Sequence, residues 1–163
     1  MIIRKADIND IDSLMVLYKN AKVFMANSGN PHQWADAYPE YSTIKADIES
    51  GMFYVADDNG TVAAGFAMIT GEDPTYAIIE NGEWLDNSPY ATVHRLVGDG
   101  KHPGIGEMCL NWCLSQHRNI RVDTHHDNKI MQRILGELNF KECGIIYTRN
   151  HSPRIAYQRN DNQ

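Results

Sequence analysis

The run Gly98-Asp-Gly-Lys-His-Pro-Gly-Ile-Gly106 holds four glycines in nine residues and stands directly between two patterned stretches. Ahead of it, Tyr90-Ala-Thr-Val-His-Arg-Leu-Val97 is apolar and β-branched enough for a buried strand. Behind it, from Ile105, the apolar positions Met108, Cys109, Trp112 and Cys113 recur at helical spacing. A glycine turn that opens a helix aims unpaired backbone N–H groups, and the positive end of the helix dipole, at an anion. A second group of chemistry-bearing residues, Asp123, His125, His126 and Asp127, follows the next strand. It makes a poor metal site, because consecutive residues point apart and no helical His-x-x-x-His supports them, so the sequence predicts no metal.

The elements that must hold this turn are legible in order. Residues 1–5 read as a short edge strand. Asp7 and Asp10 stand at N-cap and N3 of a helix whose apolar stripe is Ile11, Leu14, Met15, Tyr18, Ala21 and Met25, and Asn27-Ser-Gly-Asn-Pro31 ends it. Gln33, Trp34, Tyr38, Pro39 and Tyr41 form an irregular aromatic segment, which either packs under a loop or lines a ligand site. A short helix fits residues 43–50, with Gly51 at C′. Residues 53–56 and 61–70 read as a hairpin across Asp57-Asp-Asn-Gly60, with Gly65 marking a bulge. Residues 71–89 are polar and turn-rich around a short strand at 76–79, and Trp84 fits no periodicity. After the glycine turn and its helix come a strand at 119–124 and a helix at 128–138 with Ile130, Met131, Ile134, Leu135 and Leu138 inward. Strands at 142–148 and 154–158 then pair across His151-Ser-Pro153, and the tail 160–163 is expected to be disordered.

Composition narrows the function classes. A chain of 163 residues, 42% hydrophobic and 22% charged, is ordinary for one soluble domain of residues 1–163. The net charge of −6, without a Lys/Arg cluster, argues against nucleic acid as a partner. No stretch approaches the roughly 18 apolar residues of a membrane span, and the N-terminus lacks a signal peptide, so a cytoplasmic protein is expected. Three cysteines are an odd number, and Cys109 and Cys113 lie four apart on one helix face. Reduced, core-facing packing of all three with Cys143 follows.

Three readings of the glycine turn compete: a tight connection needing positive φ, a dinucleotide cradle, and an anion loop of another kind. Gly98-x-Gly100-x-x-x-Gly104 with Asp123 ending the next strand mimics a Rossmann fingerprint locally. That fold wants parallel βα repeats on both sides, whereas a hairpin precedes this unit and another follows it. Taken together, His94-Arg-Leu-Val97, Lys101-x-x-Gly104-x-Gly106 and the helix from Asn128 to Asn139-Phe140, in this order and spacing, resemble the GNAT superfamily of N-acetyltransferases. The resemblance spans nearly the whole chain. It implies an α/β fold with a central mixed sheet of about six or seven strands flanked by about four helices.

The resemblance also implies acetyl-CoA as acyl donor and an amine as acceptor, joined by direct attack in a ternary complex, with a homodimer left open. Lys101 stands where the family uses Gln or Arg, and amides around His102, Gly104, Ile105 and Gly106 would meet the CoA diphosphate. The pantetheine arm would run along the backbone of Leu96 and Val97, near Asn128 and Met131. His94 is the first candidate for the base that deprotonates the amine, with a packed core histidine as the alternative; His125 is the second. Trp34 and Arg95 are candidate acceptor contacts, with a structural role as the alternative for Arg95. Two departures from the family pattern bear on this. Pro103 has no N–H to give the diphosphate. Leu135 stands where many members carry a Tyr thought to protonate the thiolate, which leaves water or another donor such as Tyr147. A non-catalytic acyl-CoA-binding module is the alternative function.

Overall fold

The computed structural model describes residues 1–34 and 37–160. Seven strands form one sheet: β1 (Ile2–Lys5), β2 (Phe53–Asp58), β3 (Thr61–Thr70), β4 (Ala91–Gly98), β5 (Ile120–Thr124), β6 (Lys141–Tyr147) and β7 (Pro153–Arg159). Their spatial order is β1-β2-β3-β4-β5-β7-β6, and β4–β5 is the one parallel pair among the described residues. Four α-helices flank the sheet: α1 (Ile11–Asn27), α2 (Tyr41–Glu49), α3 (Ile105–Gln116) and α4 (Lys129–Glu137). This is the mixed α/β architecture expected from the sequence. It leaves no place for a dinucleotide fold, which needs successive parallel strands.

Strand alternation sorts the core into two layers. Ile11, Leu14, Leu17 and Tyr18 of α1 and Ile44 and Ile48 of α2 cover one face with Phe53, Val55, Ala67 and Val97. Cys109, Leu110 and Cys113 of α3 and Ile134 and Leu135 of α4 cover the other with Ala56, Phe66, Val93 and Val122. Val93 and Val97 are an even number of residues apart, yet they belong to opposite layers. The reason is a β-bulge in β4: His94 opposes Ala67 and Val97 opposes Gly65, so two residues face Phe66 alone. Arg95 takes the extra position with φ 57, a left-handed conformation costly for a side chain of its size. Gly65 marks the opposite side of the same irregularity. A Cβ there would lie 2.4 Å from Leu14 Cδ2, so the glycine lets α1 seat closely on the sheet.

Several local expectations change. The capping box of Asp7 and Asp10 forms, but it opens a 3-10 turn (Ile8–Asp10) that runs on into α1. No strand forms at 76–79. Pro74 and the Asp73 carboxylate, which accepts from Thr75 N, start a 3-10 turn at Pro74–Tyr76 instead, and only Glu80 pairs with Ile145. Trp84 is held by its indole N–H on Tyr76 O at 2.9 Å, and its ring lies 4.1 Å from the Arg121 guanidinium, which also lies 3.9 Å from the Tyr90 ring. Ile130 is 43% exposed and does not enter the core. Asn160 is buried and hydrogen-bonds Asp86 at 2.8 Å, so the ordered chain extends at least that far; residues 161–163 of the expected tail lie outside the described residues. The three cysteines are free and buried, as expected. Among the described residues no helix is long and apolar enough to cross a membrane.

Candidate active site

The one parallel pair is short. β4 and β5 join only at Ala91–Ile120 and Thr92–Arg121, and beyond Thr92 no bridge connects them. Alternate backbone N–H and C=O groups of β4 therefore face an opening with no strand to pair. A cleft of about 1250 Å³ occupies this divergence. His94, Arg95, Leu96 and Val97 form its β4 wall, Asn128 and Met131 its α4 wall, and Trp34 and Tyr38 part of its rim.

His94 sits between two carboxylates. Its Nε2 lies 2.8 Å from Asp73 Oδ2, and its Nδ1 lies 4.0 Å from Asp123 Oδ2. Burial would push the Asp73 carboxyl up, but hydrogen bonds from His94 and from Thr75 outweigh it and hold the pKa down at about 2. Asp73 is thus ionised and accepts a hydrogen bond from Nε2–H, which in the neutral ring places the lone pair on Nδ1. The Tyr76 hydroxyl donates to Asp123 Oδ2 at 2.6 Å. Burial, reinforced by the Asp123 charge, pushes that phenol well above its ordinary value, so Tyr76 keeps its proton. Nδ1 and Asp123 Oδ2 are too far apart to bond each other, and each can accept a hydrogen bond from a group placed between them.

The bulge is pinned from both ends. The Tyr18 hydroxyl donates to Arg95 O. The Arg95 guanidinium donates to Asp47 Oδ2 at 2.9 and 2.5 Å and to the Tyr38 hydroxyl at 3.0 Å. Its charge is therefore already matched by a carboxylate of α2.

At the glycine turn, Gly104 caps α3 with φ 76. The amides of Gly104, Gly106 and Glu107 make no hydrogen bond among the described residues. Ile105 N is loosely held by His102 O at 3.3 Å. The Asp99 carboxylate takes the amides of Lys101 and His102, at 2.8 and 3.2 Å. The free donors are thus concentrated on the first turn of α3, which is suited to an anion.

No protein-family model and no curated protein matches this sequence, but many solved structures do. An acetyltransferase of the GNAT family from Streptococcus agalactiae 2603 is 32% identical, with a TM-score of 0.90 over 99% of this chain and 96% of that one. The chain belongs to the GNAT family of acetyltransferases. A GNAT-family acetyltransferase from Listeria monocytogenes 4b F2365 is 18% identical with a TM-score of 0.71, covering 97% of this chain and 93% of that one. A ribosomal-protein-alanine N-acetyltransferase from Brucella melitensis is 15% identical with a TM-score of 0.65, covering 98% and 99%. These last two share the fold.

In this GNAT-family chain the residues singled out from sequence fall into three groups. His94, Arg95, Leu96, Val97, Ile105, Asn128, Met131 and Trp34 line the cleft. Asn128 also caps α4 through Met131 N at 3.0 Å, and its Nδ2 donates to Gln33 Oε1 at 2.9 Å, tying the aromatic loop to the helix. Lys101, His102, Gly104 and Gly106 form the turn beyond the cleft's end. The His102 amide, expected at the diphosphate, is engaged by Asp99, and its ring bridges Asp99 (2.8 Å) and Asp58 (3.0 Å), tethering the turn to β2. His125 lies outside the cleft wall, 5% exposed, with Nδ1 accepting from Asp127 N at 3.0 Å. Burial and then the Arg154 charge lower its pKa. Tyr147 is also off the wall, donating to Glu80 at 3.0 Å on the edge strand, and Leu135 is fully buried.

Asp73 and Tyr76 were missed in the sequence because they lie in a stretch without periodicity. The Asp73-Pro74 pair marks a turn start but not what its carboxylate faces.

Hydrogen bonds to Asp58 and then Asp99 raise the His102 pKa. A group raised in the folded state contributes its stability fully below its unfolded value, about 6.5, and loses it as pH rises through the folded value. We expect the His102 ring, followed by NMR, to titrate above the ordinary histidine range, and Asp58→Asn to bring it down. An unshifted wild-type titration contradicts the tether.

Proposed function

We propose that this protein transfers an acetyl group from acetyl-CoA to a primary amine of a small molecule or peptide, by direct attack in a ternary complex in the cytoplasm. The observation that carries this reading is His94, held between Asp73 and Asp123 on the strand that borders the β4–β5 opening. Acetyl-CoA enters as the acyl donor. The free amides of Gly104, Gly106 and Glu107, with Lys101 nearby, hold its diphosphate. Leu96 and Val97 present unpaired β4 backbone to the pantetheine arm, with Asn128 and Met131 across the cleft.

The acceptor ammonium binds between His94 Nδ1 and Asp123 Oδ2, whose 4.0 Å separation lets one nitrogen donate to both. It gives its first proton to Nδ1, and His94 passes that proton to solvent. The resulting imidazolium is stabilised while it lasts by the Asp73 charge. The neutral nitrogen then attacks the thioester carbonyl, whose developing negative charge is met by β4 backbone N–H groups. The C–N bond forms, the C–S bond breaks, and the second N–H proton ends on the departing thiolate, completing an amide and free CoA. Since Leu135 has no ionisable proton to donate, that last transfer runs through water or through His94.

Calorimetric titration tests the donor. CoA and acetyl-CoA are expected to bind, NAD(H) and NADP(H) to give no signal, and CoA to raise the thermal midpoint with concentration. Nicotinamide binding without a CoA signal overturns the reading.

A further inference from the structure

We propose that the acceptor is an amine that also carries a carboxylate, as an amino acid does, and that Arg149 and Arg154 receive that anion. The inference rests on the acetyl-transfer reading and deepens it. Arg154 lines the cleft and is 7% exposed, yet it pairs with no carboxylate among the described residues. Its partners are the neutral oxygens Ser152 Oγ, Pro153 O and Gln33 O. Those bonds leave part of its five-donor fork unused. The Asp123 charge acts on it only from beyond ion-pair distance, and a buried guanidinium without a paired carboxylate is costly unless an anion completes it. Arg95, by contrast, is already matched by Asp47. Arg149, exposed in the β6–β7 turn, lines the same wall and makes no ion pair among the described residues.

Register places these cations at the right scale. Ala156 of β7 stands opposite Asp123 of β5, so Arg154, two positions along, shares that face on the diagonal, with Cα atoms about 7–8 Å from those of Asp123. The cleft is thus polarised. Glu72 and Asp73 precede β4, Arg149 and Arg154 belong to the β6–β7 turn and β7, and Asp123 on β5 stands between them, in a chain whose net charge is −6. A molecule with an amine and a carboxylate a few bonds apart matches both poles, and a guanidinium meets a carboxylate with two parallel hydrogen bonds.

The test is thiol release from acetyl-CoA with three matched acceptor sets: α-amino acids, their amides, and the corresponding decarboxylated amines. The carboxylate-bearing set is expected to lead in kcat/KM by about 10- to 100-fold, the worth of a charge-assisted pair. In Arg149→Gln and Arg154→Gln that ratio should fall toward one, mostly through KM, and Arg154→Lys should keep part of it. Because the ratio is taken within one preparation, a loss of folded Arg154→Gln protein cancels. Equal or better turnover of the amides and decarboxylated amines overturns the inference and leaves acetyl transfer standing. Thiol release with no acceptor of any set, in protein that binds CoA, overturns acetyl transfer itself.

Discussion

His94→Ala is expected to lower kcat by about 100- to 10,000-fold, the usual worth of a general base, while CoA affinity changes little. In the proposed complex the strand backbone, not this side chain, borders the pantetheine arm, so truncation would remove a proton acceptor and spare the donor's contacts. The deficit should shrink as pH rises through the acceptor's own pKa, because the amine then arrives deprotonated. Asp73→Asn should give a smaller loss of the same kind. Its amide can still bond Nε2, but it supplies no charge for the imidazolium and permits the opposite tautomer. The Asp73 carboxylate itself does not limit the pH range of such assays. Asp73 is depressed to about 2, so its contribution is complete above the ordinary aspartate value and is lost only as pH falls through about 2. Steady-state rates and CoA titrations across pH, in both variants, check this. His94→Ala turnover equal to wild type at every pH would reduce His94 to a packing residue.

Asp47→Ala carries the largest expected effect on stability. It strips the counter-ion from Arg95, whose side chain is only 11% exposed, and leaves a nearly buried charge with the Tyr38 hydroxyl as its remaining side-chain partner among the described residues. Breaking one partner of a buried pair costs about 3–5 kcal/mol, and partial exposure places this case near 3. For a domain of this size that lowers Tm by roughly 6–12 °C. CoA affinity should fall with it, because the strained Arg95 backbone sets where Leu96 and Val97 lie. Replacing Arg95 by Ala as well should recover part of the loss by removing the unpaired charge. Calorimetric melting of the two variants checks both statements, and an unchanged Asp47→Ala midpoint would show that the bulge is held without the ion pair.

Much of the fold was legible because its signals are local. Asn59 and Gly60, both at positive φ, make the hairpin turn that their types announce, and Asn128 caps α4 with its own side chain. The glycine turn that opens α3 was equally readable, since glycine content and a following helix are properties of adjacent residues. The bulge was not. Arg95 has no local preference for positive φ, and its conformation is set by Phe66 across the strand, by Tyr18 behind it and by Asp47 on another helix. The segment 71–89 failed for the same reason. Its shape comes from distant contacts, Asp73 with His94, Tyr76 with Asp123 and Glu80 with Ile145, which leave no period in the sequence. His94 could therefore be picked out, but not the two carboxylates that define its chemistry. Arg95 could be read from the sequence as structural or as an acceptor contact, and its partner Asp47 could not be seen there.

The central claim is tested most directly by initial rates of thiol release with acetyl-CoA and an amine acceptor both varied, the acetylated amine being quantified in the same samples. Direct attack in a ternary complex predicts intersecting double-reciprocal lines and one acetylated amine per thiol released. Parallel lines would point to a covalent acetyl-enzyme, and acetyl-CoA binding without amine-dependent thiol release would make the protein an acyl-CoA-binding module; either result contradicts the account.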